Sequence, residues 1–142
     1  MVAGGFAYYA FDTAEELEEQ RKLQPNFRYS HENRMSLRNS LSLSQDETKA
    51  LLDSNTPHTI RIKMPQDEVI SFDDMIRGRV SFETKLMDDK VLLKADGMPT
   101  YHLAVVVDDK AMEISHIFRG EEWLPSAPVH LLLWEYLGWK DQ

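Results

Sequence analysis

The hydrophobic period of this chain changes twice along its length, from helical to two and back toward helical, which calls for a mixed fold of helices and strands. From His58 the alternation is strict. Ile60, Ile62 and Met64 share one face while Thr59, Arg61 and Lys63 share the other, as in a half-buried strand. Val69 to Phe72, Arg79 to Thr84 and Lys90 to Lys94 read as further strands, with turns at Asp88-Asp89 and Asp96-Gly97. An antiparallel sheet is therefore expected in the middle of the chain.

The stretch before it is helical and acidic. Thr13-Ala14-Glu15-Glu16 has the spacing of a capping box, in which hydroxyl and carboxylate each satisfy an orphan amide, and predicts a helix to about Leu23, stopped by Gln24-Pro25-Asn26. Ser44-Gln45-Asp46-Glu47 signals a second, shorter helix carrying Ala50, Leu51 and Leu52 and broken by Asp53-Ser54-Asn55.

After Pro99, Tyr101 to Met112 fits either a β-branched strand or a helix with Leu103, Val106, Val107 and Met112 on one face; the helix is the preferred reading. Glu113 to Phe118 reads as a strand. Ser126 and Pro128 open a final helix through Leu137, closed by Gly138. Helix, strand, helix is the rhythm of an α/β unit.

The chain has 142 residues, enough for one domain or for a domain and part of another, and such a length can bury roughly two thirds of its unfolded surface. It contains no cysteine, so disulfides and thiolate metal sites are excluded. Its longest apolar runs, Leu103 to Val107 and Val129 to Trp134, are too short for a bilayer, and Met1 to Gly5 has no secretory pattern, so the cytoplasm is the expected location. A formal charge of −8 argues against bulk attraction to nucleic acid; any such contact must be local. Two basic groups could supply it: Arg21, Lys22, Arg28, Arg34 and Arg38, and then Arg61, Lys63, Arg77 and Arg79.

His116-Ile117-Phe118-Arg119-Gly120-Glu121-Glu122-Trp123 is the stretch richest in chemistry. An arginine at the carboxyl end of a strand lies where open α/β sheets place ligands, and its planar fork matches a carboxylate. An ion pair with Glu121 or Glu122 is the competing use. Trp123 either stacks on a base or, as tryptophans more often do, packs into the core; Tyr101 offers an apolar body with a hydroxyl. The five histidines (His31, His58, His102, His116 and His130) show no close metal-ligand spacing, and most read as surface or structural. Asp88-Asp89 and Asp108-Asp109 read as solvated turns and termini. Lys63-Met64-Pro65 mimics the start of an ATP-handling loop, but proline in third place spoils it.

Lys94-Ala95-Asp96-Gly97-Met98-Pro99-Thr100-Tyr101-His102, Val105-Val106-Val107-Asp108-Asp109, and His116 through Trp123 to Leu124-Pro125-Ser126-Ala127-Pro128 together resemble the central region of bacterial glutamyl-tRNA synthetases. Ala7-Tyr8-Tyr9-Ala10-Phe11-Asp12, His58-Thr59-Ile60-Arg61 and Asp74-Met75-Ile76-Arg77-Gly78 extend the likeness, with a looser fit from Asn26 to Asn55. The resemblance implies an α/β fold in two parts. Residues 1–99 would be the connective-peptide insertion that holds the tRNA acceptor end, and residues 100–142 the start of the second half of a class I Rossmann catalytic domain.

It also implies an enzyme that ligates L-glutamate to tRNA with ATP and magnesium, most simply as a monomer. Tyr101 and Arg119 would contact glutamate, and Glu122 and Trp123 would border ATP. Arg61, Lys63, Arg77 and Arg79 are the candidates for acceptor-stem contacts. Where some family members bind zinc through cysteines, this chain has Ala10 and Asp12, so no zinc is expected. The family's His-Ile-Gly-His and Lys-Met-Ser-Lys-Ser signatures are missing, so the chain is expected to be an inactive central fragment. Two alternatives stand beside this: a stand-alone RNA-binding domain without activity, and a fragment of a relative that glutamylates a modified tRNA base.

Overall fold

A computed structural model describes residues 1–140. In chain order its elements are β1 (Ala7–Ala10), α1 (Ala14–Leu23), α2 (Gln45–Asp53), β2 (Thr59–Ile62), β3 (Val69–Asp74), β4 (Gly78–Glu83), β5 (Val91–Leu93), α3 (Tyr101–Ala111) and α4 (Ala127–Tyr136), with short 3₁₀ turns at Arg34–Ser36, Thr84–Leu86 and Glu121–Ser126. The expected mixed class is what the chain adopts.

Both early helices begin as their sequences predict. Thr13 and Ser44 accept from the amides of Glu16 and Glu47, whose carboxylates accept in return from the cap amides, so each first turn is closed by a reciprocal pair. At the other end, α4 finishes in a Schellman arrangement. The Gly138 amide donates to Glu135 O at 3.0 Å and the Trp139 amide to Trp134 O at 2.8 Å, with Gly138 at φ 78°.

The strands form two antiparallel sheets, β1-β2-β5 and the hairpin β3-β4. β1 was not anticipated as a strand. It pairs with β2 in the register Ala7↔Ile62 to Ala10↔Thr59, and its other edge is covered by the segment at Arg38 to Ser40, where Ser40 N donates to Tyr9 O at 2.9 Å. The β3–β4 turn is built by Asp74, whose Oδ1 accepts from the amides of Ile76 and Arg77 at 2.9 and 2.8 Å, and by Gly78 at φ 71°.

Ile62, Met64 and Leu92 from the three-stranded sheet pack with Val106, Val129, Leu132 and Leu133 from α3 and α4. This core joins the parts on either side of residue 99. Complete burial of an aliphatic side chain such as Leu133 contributes roughly 1.5–3 kcal/mol. A smaller cluster of Tyr8, Ala10, Tyr29 and Leu37 fastens the segment after α1 to the sheet.

Three expectations are corrected. The apolar face of α3 is the predicted one only in part, because Leu103 and Val106 face the core, joined by Val105, while Val107 is 41% and Met112 70% exposed. Glu113 to Phe118 is not a strand. α3 closes with Glu113 at φ 53°, and no described strand lies beside the following residues to pair with them, so Ile117 and Phe118 remain 53% and 84% exposed. Asp89 does not sit in a solvated turn: it is fully buried, and accepts from the Tyr8 hydroxyl at 2.5 Å, the Met64 amide at 2.9 Å and Arg34 Nη1 at 3.1 Å. Burial pushes its carboxyl above the usual range, against the pull of those donors and of Arg61.

Candidate functional site

Tyr101 is the first residue of α3, and Thr100 before it uses its hydroxyl to donate to Val91 O at 2.6 Å, which fastens the helix start to β5. The 3₁₀ turn at Glu121–Ser126 then carries Trp123 over it, with ring centroids 4.9 Å apart. Arg119 comes in from the irregular segment between the two helices, its guanidinium carbon 5.8 Å from the centre of the Tyr101 ring. Sequence-distant residues thus meet at one place.

Packing of α3 on α4 adds two histidines that sequence reasoning set aside. The His102 and His130 rings lie 5.3 Å apart, with Nδ1 of His102 3.1 Å from Nε2 of His130. Arg119 Nη1 lies 2.8 Å from His130 Nδ1, and Arg119 Nη2 reaches Asp109 Oδ2 at 3.4 Å. Burial, Arg119 and His102 together push the His130 imidazole down to about 4; His102 is also lowered, chiefly by burial and by Lys90. The partners lie 10 and 11 residues from Arg119, beyond any local spacing rule.

Arg119 is thus not consumed by Glu121 or Glu122. Glu121 pairs instead with Arg77 of the β3–β4 turn at 2.8 Å. Asp109, expected to be a solvated terminus, is the carboxylate beside Arg119, and the two side chains are 16% and 21% exposed. A guanidinium carries five N–H donors, and the contacts to His130 and Asp109 engage two of them. Trp123, for which core packing was the commoner expectation, keeps 43% of its surface exposed, as does Tyr101. The result is a cation anchored on one side, beside two half-open aromatic faces.

The basic residues proposed for RNA do not gather. Arg61 lies over the Tyr29 ring at 4.1 Å and donates to Asp89 O at 2.8 Å, Arg77 pairs with Glu121, and Arg79 pairs with Asp73 at 3.3 Å on the other sheet. Lys63 is exposed just beyond β2. Two hollows lie elsewhere: one of about 780 Å³ bordered by Phe6, Ile70, Ile114, Leu132, Trp134 and Tyr136, and one of about 210 Å³ bordered by Arg21, Phe27, Arg28, Tyr29 and Arg61.

Asp12 accepts from the Tyr29 hydroxyl at 2.8 Å and the Arg38 amide at 2.9 Å. Among the described residues no three histidines or carboxylates are grouped to hold a metal, and no helix is long and apolar enough to cross a membrane.

A glutamate–tRNA ligase of Cytophaga hutchinsonii is 53% identical over 99% of the chain, and one of Parabacteroides distasonis 52% identical over 96%. The crystal structure of a glutamate tRNA ligase from Elizabethkingia meningosepticum, in complex with its amino acid, superposes with a TM-score of 0.92 at 52% identity over 94% of the chain. The chain spans 27–28% of the length of these relatives. Residues 1–142 match the family of class I tRNA synthetases (E and Q), catalytic domain, and the chain belongs to that family.

Proposed function

We propose that the chain is the central part of a glutamate–tRNA ligase, an enzyme that activates L-glutamate with ATP and transfers it to tRNA in the cytoplasm. In this reading residues 1–99 are the connective-peptide insertion that holds the tRNA acceptor end, and 100–142 begin the second half of the catalytic domain. The observation that carries it is the convergence of Arg119, Tyr101 and Trp123, with Arg119 anchored yet retaining unengaged donors. An acidic amino acid presents carboxylates, and a planar, permanently charged fork fixes their orientation as a lysine ammonium does not.

Trp123 suits a planar ring by virtue of its half-open face, and Glu122 belongs to the same turn. The residues present fit the base of a nucleotide; they do not fit its triphosphate or magnesium, because Arg119 is the only cation in the segment from His116 to Trp123 and no carboxylate cluster is formed among the described residues. Phosphate and metal binding, and hence activity, then belong to residues outside this chain. Lys63, Arg61, Arg77 and Arg79 are proposed contacts for the acceptor stem, the last two by exchanging exposed carboxylate partners for phosphates.

In the complete gene product, Arg119→Ala should weaken glutamate recognition by about 2–5 kcal/mol, the range for removing one partner of a desolvated charge pair. Glutamate-dependent pyrophosphate exchange measures it, and an unchanged glutamate dependence refutes the reading.

A further inference from the structure

We propose that His130, backed by His102, is a positioning residue that fixes the Arg119 fork for carboxylate binding through a chain of locked imidazole tautomers. The inference rests on the function proposed above and follows from donor counting. A guanidinium has no acceptor, so at 2.8 Å the His130 Nδ1 must carry a lone pair, and the ring is neutral with its proton on Nε2. That proton is donated across 3.1 Å to His102 Nδ1, which must then also be unprotonated. His102 is therefore neutral too, with its proton on Nε2. One permanently charged residue thereby dictates the proton positions on two rings, and the rings in turn hold one edge of the fork.

The surroundings are consistent with this assignment. His130 is 7% exposed, within a cage made by Tyr101 and His102 of α3 and Arg119 of the following segment. Lys90 and Arg119 bear on His102 from one side of the balance and Asp88 from the other, and both rings are shifted toward the neutral form. With His130 on Nη1 and Asp109 on Nη2, rotation of the fork about its long axis breaks two contacts at once. A neutral acceptor contributes orientation here without neutralising the charge, which a second carboxylate would do.

Two measurements on the complete gene product test this. With histidine selectively labelled with ¹⁵N, both rings should show the Nε2–H tautomer at neutral pH; a Nδ1–H tautomer or an imidazolium at His130 overturns the inference. In pyrophosphate exchange, His130→Leu should raise the glutamate KM by about tenfold or more while leaving the ATP KM unmoved, and His130→Asn, whose Oδ1 can occupy the place of Nδ1, should restore most of that loss. Because His130 is held neutral down to about pH 4, the glutamate KM should show no break from about pH 8 to 5.5, where an ordinary histidine titrates. A break near the ordinary histidine pKa, or an unchanged glutamate KM in His130→Leu, overturns the positioning role alone. Absence of glutamate binding by the unsubstituted protein is failure of the functional reading itself, and the positioning role falls with it.

Discussion

Two of the arginines that sit beside carboxylates, Arg34 and Arg119, differ in how far solvent reaches them. Arg34 and Asp89 are 8% and 0% exposed; Arg34 Nη2 donates to Met64 O, and Asp89 also accepts from the Tyr8 hydroxyl and the Met64 amide. Arg119 and Asp109 are 21% and 16% exposed, so the fork is reachable from outside. The first pair closes a polar network that ties the segment at Tyr29 to Asn39 against the sheet. The second leaves a charge available beside aromatic faces. Each guanidinium engages two partners, so it is access to the fork, 21% against 8% exposed, that distinguishes the two pairs.

The comparison breaks first at Asp89. Asp89→Ala strands a buried guanidinium and a tyrosine hydroxyl, and should lower unfolding free energy by about 3–5 kcal/mol in a denaturant titration. If Arg119→Ala destabilises the fold as much as Asp89→Ala does, the distinction between the two pairs is wrong.

Acid sharpens it next. The folded His130 is lowered from 6.5 to about 4, so the unfolded chain binds more protons across that window. Its contribution is complete above 6.5 and is lost as pH falls toward 4, by about 3 kcal/mol in all. Asp89, whose carboxyl is raised, acts in the opposite sense, gaining stability as pH falls, so the wild-type curve mixes the two. Subtracting the stability curve of His130→Asn isolates the histidine, and a pH-independent difference contradicts the assignment.

The smallest effect belongs to the link between sheet and site. Arg77–Glu121 is a surface pair, 44% and 75% exposed, and Arg77→Ala should cost no more than about 1 kcal/mol, less in high salt. A larger loss, measured by the same titration, would mean that the β3–β4 turn supports the site mechanically.

Helix starts were legible because capping chemistry is local: Thr13 with Glu16, and Ser44 with Glu47, lie within one turn of each other. The alternation at Ile60, Ile62 and Met64 was legible for the same reason. β1 was not, since four residues without an alternating pattern become a strand only through pairing with a segment some fifty residues later. The pair Asp88-Asp89 misled because turn propensity is read from neighbours, while the burial of Asp89 is imposed by Tyr8 and Arg34 from 81 and 55 residues away. Of the site, the identity of Tyr101, Arg119 and Trp123 was available from residue type and resemblance. Their supporting groups were not: His102 and His130 are 28 residues apart and meet only when α3 packs on α4.

The irregular segment from Ile114 to Phe118 has a practical consequence. Its apolar side chains face solvent, and no described strand occupies its flanks. Such a run of exposed apolar side chains is adhesive toward other apolar surfaces, those of its own duplicates included. A preparation of these 142 residues alone would clump as its concentration rises, and a single lysine in place of Phe118 would be the simplest way to keep it in solution.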